Sequence, residues 1–103
     1  MRTTIIAIAL AALGATAAAA QQAPSTPPPG RLLASNCFQC HGTDGRGDGT
    51  FDRLAGKSAS DIYGDLREMK AENKRGEIMT IHALGYTDAQ NSAIAEYLSK
   101  QKP

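Results

Sequence analysis

The chain has 103 residues, a formal net charge of +1, 42% apolar and 20% charged residues. It contains no basic run and no basic patch interleaved with aromatics, which argues against a nucleic-acid partner. Two cysteines and no tryptophan exclude a disulfide-built scaffold and leave a domain short of large core residues.

Residues 1–20 read as a targeting segment. Arg2 supplies a short positive start, residues 5–13 are apolar, and Ala18-Ala19-Ala20 offers an A-x-A cleavage site, with cutting expected after Ala20. The apolar stretch is short for a bilayer span, which takes about 20 residues. Membrane attachment is therefore expected only if this signal peptide stays uncleaved, and the mature protein is expected in the periplasm. Loss of Arg2 with the signal leaves a nearly neutral chain. Residues 21–30, with Pro24, Pro27, Pro28 and Pro29, read as a Pro-rich linker or disordered mature N-terminus. Residues 31–103 form one small domain.

A first helix is expected from about Gly30 through Cys37-Phe38-Gln39-Cys40-His41, with Leu32 and Leu33 on its inner side. The C-x-x-C-H pattern is the attachment signal of a c-type haem. Positions i, i+3 and i+4 share one helix face, so two thiols and an imidazole can address one object. Cys37 and Cys40 are then the covalent haem thioethers, and His41 is the proximal iron ligand. A C-x-x-C is also compatible with a thioredoxin-type pair, half a zinc site or a short disulfide. The zinc reading lacks a second cysteine pair, and the thioredoxin reading lacks strands. One covalently bound haem c, with its iron, is the expected cofactor. Export agrees with it, because this haem is attached outside the cytoplasm.

The segment 41–57 carries five glycines and reads as an irregular loop around the haem. A second helix is expected from Ser58, where Ser58-Ala59-Ser60-Asp61 approximates a capping box. Ile62, Leu66 and Met69 then form one apolar stripe. The charged stretch 70–76 closes that helix. Thr87-Asp88-Ala89-Gln90 is a capping box opening a last helix with Ile94 and Leu98 inward, Tyr97 beside them, and Lys100 and Lys102 at its end. The chain has no valine, and β-branched apolar residues are scarce, so the expected class is all-α. So small a core is marginal, and a buried haem would supply its centre.

A six-coordinate iron needs a ligand on the other haem face. Met69, Met79 and His82 are the candidates. Met69 belongs to the stripe of the second helix. Met79 follows Lys74-Arg75-Gly76-Glu77 in what reads as a loop able to fold over the haem. His82 is the competing imidazole.

Three motifs in order carry a family resemblance covering nearly all of 31–100. The segment from Cys37 to Gly45, then Arg53-Leu54-Ala55-Gly56-Lys57, then Met79 followed seven residues later by Tyr86 and Thr87-Asp88-Ala89, are together similar to a class I monohaem cytochrome c of the small bacterial type. Locally, Gly76-Glu77-Ile78 and Ala83-Leu84-Gly85-Tyr86 resemble the cytochrome subunit of flavocytochrome c sulfide dehydrogenase. The resemblance implies a cytochrome c fold of three to four short helices packed around one haem, with Met79 as distal iron ligand. Many relatives place a proline where Phe51-Asp52 stand here, in the loop that bonds the proximal histidine. A backbone carbonyl of this loop is the expected partner of His41.

The function implied is one-electron transfer through a His/Met-ligated haem, as a free carrier or as the cytochrome subunit of a sulfide- or sulfite-oxidising dehydrogenase. The chain itself would not be an enzyme. Expected partners are periplasmic redox proteins: a flavoprotein or molybdenum dehydrogenase, and a terminal oxidase or another cytochrome. The alternative is a haem enzyme or gas-binding sensor with an open distal site. Arg46, Arg53 and Lys57 are candidate partners of the haem propionates.

Overall fold

Helix formation begins at a glycine. Gly30 adopts φ +80°, a left-handed conformation that costs glycine little, and turns the chain into Arg31–Ala34 (α1). A 3-10 turn over Ser35–Cys37 and the helix Phe38–His41 (α2) follow, with right-handed backbone at both junctions. The expected first helix is thus one helical path tightened in the middle. There Ser35 Oγ donates to the Leu32 carbonyl at 2.6 Å, a side-chain bond that competes with the regular ladder. The computed structural model describes residues 26–103. The expected signal peptide and half of the Pro-rich segment, residues 21–25, lie outside the described residues.

One expectation is corrected in this first path. Leu32 is 79% exposed, Leu33 is half-buried, and the fully buried residue is Ala34. Gly30 and Ala34, four apart, share the face that meets the C-terminal helix, and Leu32 falls about 200° away from Gly30 around the axis. Small residues on the contact face let two backbones approach.

Ala59–Glu72 (α3) starts at Ser58, whose Oγ accepts from the Asp61 amide at 3.1 Å. Asp61 makes no reciprocal side-chain bond, since its side chain is one carbon shorter than that of a capping-box Glu. Asn73 ends the helix in the left-handed region at φ 51°. Ile62 and Leu66 are buried, as their spacing predicts.

Met79 was expected in a loop. It lies instead in the first turn of a seven-residue helix, Ile78–Leu84 (α4). A turn closed by the Glu77 amide on the Lys74 carbonyl, 2.9 Å, leads into it, and the Gly85 amide caps its last carbonyls. No side chain caps its N-terminus, so the sequence carries no start signal there.

Asp88–Ser99 (α5) opens with a complete capping box. The Gln90 amide donates to Thr87 Oγ1 at 3.1 Å, and the Thr87 amide donates to Gln90 Oε1 at 2.9 Å. Its buried face holds Asn91, Ile94, Ala95, Tyr97 and Leu98. α5 packs on both α1 and α3, and α3 also packs on α4. Among the described residues there is no strand, as expected.

The loop after α2 is pinned rather than loose. The Gly45 carbonyl accepts from the amides of Leu54 and Ala55, at 2.8 and 2.9 Å. Asp44 receives the Tyr97 hydroxyl at 2.5 Å and pairs with Arg31 and Arg46, tying loop, α1 and α5 together.

Candidate functional site

The helical face of Cys37, Cys40 and His41 forms one wall of a largely apolar cleft between the helices. Phe51 and Leu54 join it from the loop, and Ile62, Leu66, Met69, Met79, His82 and Leu98 from α3, α4 and α5. The cleft encloses about 940 Å³, its open mouth included. Phe51 and Ile78, 53% and 62% exposed on the polypeptide alone, both face it and offer apolar surface for a flat apolar group to cover.

Cys37 is half-buried and Cys40 exposed, both as free thiols. Burial raises the Cys37 thiol pKa in the polypeptide, and the neighbouring Cys40 adds to the rise. The thiolate is therefore disfavoured at Cys37 before any covalent modification.

His41 Nδ1 lies 2.6 Å from the Asp52 carbonyl oxygen. A carbonyl only accepts, so Nδ1 carries the proton and Nε2 keeps its lone pair for a metal. The backbone supplies the partner, without the proline that the resemblance placed there. The Phe51 ring lies 6.1 Å from the imidazole, tilted by 55°.

All three candidates for a second ligand reach the cleft. Met79 and His82 come from α4, and Met69 from α3. Met69 was expected in the core; it is half-buried, packing on the core and lining the cleft as well. Tyr86 also lines the cleft. Its hydroxyl donates to the Leu33 carbonyl at 3.2 Å and accepts from Asn36 Nδ2 at 2.5 Å.

Arg46, Arg53 and Lys57, read as propionate partners, are not among the lining residues. Arg46 pairs with Asp44 and Lys57 with Asp52.

Two participants escaped the sequence reading. Lys70, read as part of a charged helix end, donates to the Tyr86 carbonyl and to Asp88, at 2.8 and 3.0 Å, and clamps α3 to the start of α5. Asn91 is fully buried and lines the cleft. Its Nδ2 donates to the Ala83 carbonyl, and its Oδ1 has no partner among the described residues. Its spacing of three from Ile94 and seven from Leu98 was the available signal.

Residues 28–102 match the family model for cytochrome c. The chain belongs to the cytochrome c family. Haem c, covalently bound and holding iron, is its cofactor, and the thiol pair, the metal-ready imidazole and the apolar cleft fit that group. The cytochrome is 37% identical over 74 residues to the cytochrome subunit of sulfide dehydrogenase from Chlorobaculum tepidum, covering 72% of this chain and 67% of that protein. It is 38% identical over 63 residues to cytochrome c-552 of Acidithiobacillus ferridurans, covering 61% of this chain and 27% of that one. It is 36% identical over 69 residues to the thiosulfate dehydrogenase electron acceptor of Thiomonas intermedia, covering 63% and 32%. The chain thus spans two thirds of the first relative and about a third or less of the other two. The family supports electron transfer as the role of the cytochrome. Among the described residues, no helix is long and apolar enough to cross a membrane.

Proposed function

We propose that this cytochrome is a periplasmic one-electron carrier whose haem is bound through thioethers to Cys37 and Cys40, with His41 on one face of the iron and Met79 on the other. The observation that carries the reading is the convergence of Cys37, Cys40, His41 and Met79 on one apolar cleft, with His41 Nδ1 already engaged by the Asp52 carbonyl. The bound haem supplies one reversible electron at its iron. The chain's residues hold it and control what reaches it. His41 is oriented by the loop carbonyl, so its ring keeps one tautomer and one direction. Met79 offers a soft sulfur, which favours the reduced state relative to a second imidazole. Its place seven residues before Tyr86, the interval of the family resemblance, favours it over Met69 and His82. With both faces held, a substrate finds no open position.

The named roles of two relatives, a sulfide dehydrogenase subunit and a thiosulfate dehydrogenase electron acceptor, support a partner dehydrogenase that oxidises reduced sulfur compounds. The export-type residues 1–20 support the periplasm.

The test is the optical spectrum of the mature holoprotein. A ferric form with the weak far-red band of sulfur-bound iron, and a low-spin ferrous form inert to carbon monoxide, is expected. A high-spin ferrous form that binds carbon monoxide readily defeats the carrier reading in favour of an open-site haem protein. Stable co-purification with a flavin or molybdenum protein separates a subunit from a free carrier.

A further inference from the structure

His82 is a residue that a His/Met carrier does not need. It stands three positions after Met79 in α4, lines the same cleft as Cys37, Cys40 and His41, and is half-buried. Its ring enters none of the side-chain hydrogen bonds or ion pairs made among the described residues, whereas the other cleft histidine is engaged by Asp52. Half-buried beside an apolar cleft and without a side-chain partner among the described residues, the imidazole keeps a ring nitrogen free to bind a metal. Met69 also reaches the cleft, but it packs on the core from a 14-residue helix.

We infer that His82 is a reserve iron ligand: when Met79 leaves the iron, the His82 imidazole binds in its place. This rests on the assignment of Met79 as the resident ligand. Residues i and i+3 of an α-helix differ by about 4.5 Å along the axis and about 60° around it, so a slide of less than one turn exchanges one for the other. Interface shifts of up to one turn are an established mode of conformational switching. α4 is suited to that slide. It has seven residues, no side-chain bond at its N-cap, and exposed residues 74–77 leading into it. In the exchange one iron–sulfur bond breaks and one iron–nitrogen bond forms from the imidazole lone pair. The thioether is released unchanged, and no electron is transferred. The haem stays six-coordinate and closed to outside ligands, with a lower potential than the methionine-bound form.

The chain has two histidines, His41 and His82. A bis-imidazole haem within one molecule therefore identifies His82. In the full holoprotein, Met79→Leu is expected to lose the far-red band yet remain low-spin, with a bis-imidazole electron paramagnetic resonance signature, a lower potential and no gain in carbon monoxide binding. Met79→Leu combined with His82→Leu is expected to be high-spin and to bind carbon monoxide. A single variant that is already high-spin and binds carbon monoxide like the double variant overturns the inference, while a wild type with the far-red band leaves the Met79 assignment standing. A wild type without that band that becomes high-spin on His82→Leu makes His82 the resident ligand and overturns both. If Met79→Leu fails to take up haem, wild type and His82→Leu are compared in rising guanidinium. As the methionine band fades, wild type is expected to enter a bis-imidazole state independent of protein concentration, and His82→Leu a high-spin one. The same state in both, or dependence on concentration, overturns the inference.

Discussion

Tyr97 shows how much one hydroxyl can hold. The residue is 5% exposed and its hydroxyl donates to the carboxylate of Asp44, which itself sits at φ 56° between Arg31 and Arg46. A hydrogen bond to a charged group is worth about 1.5–3 kcal/mol. Tyr97→Phe should therefore destabilise the holoprotein by about 1.5 kcal/mol in urea unfolding at neutral pH. Burial, and then the Asp44 bond and charge, raise the Tyr97 pKa above its usual value of about 10. A raised phenol contributes stability that is complete below about pH 10 and is lost as pH rises through the folded value. Unfolding free energies at neutral and at strongly alkaline pH should thus converge between wild type and Tyr97→Phe as pH rises; a constant difference refutes the linkage. The partners are 53 residues apart, and nothing local marks them. Cys37, Cys40 and His41 are the opposite case, since their chemistry is contained within five consecutive residues.

At the scale of elements, the contact of α1 with α5 depends on the absence of a side chain. A Cβ on Gly30 would lie 2.2 Å from the Ala93 carbonyl oxygen and 3.1 Å from Tyr97 Cβ, in a backbone conformation at φ +80° that other residues avoid. The obstructing atom is backbone and cannot swing aside. Gly30→Ala should cost at least about 2 kcal/mol, read as a melting temperature lower by roughly 10 °C. A change under about 2 °C would mean that the two helices do not meet in this way. α5 was legible because Thr87 and Gln90 write its start in side chains. α4 was not, because its start is a backbone turn and its larger apolar residues are exposed on the polypeptide, Ile78 beside the cleft and Ile81 and Leu84 outside it. Its buried residues are the small Thr80 and Ala83, which carry little hydrophobic signal.

For the whole molecule, the polypeptide alone has little to fold around. Its largest fully buried side chains are Leu98, Asn91 and Thr80, two of them polar, each with an atom lacking a protein partner among the described residues. The larger apolar side chains Ile62, Leu66 and Ile94 face the cleft as well as one another. Domains of this size bury barely enough surface to fold, and burying a group the size of haem against these walls adds the missing part. The haem-free mature chain should therefore give no cooperative transition in calorimetry, whereas the holoprotein melts sharply. A cooperative haem-free transition would show that the helices suffice.

The sequence by itself determined the cofactor, the helical class and the starts of α3 and α5, and it carries the proposal of two thiol anchors and one imidazole. Each of these is local: a five-residue spacing, a cap, a stripe with a helical period. Only the tertiary structure decided that Asp52 lends His41 its carbonyl, that Lys70 and Asp44 act as clamps, that Leu32 faces out, and that Met69, Met79 and His82 share one cleft. Those are encounters between distant segments, and their outcome depends on how closely Gly30 and Ala34 let α1 approach α5, and on where a short uncapped helix comes to rest.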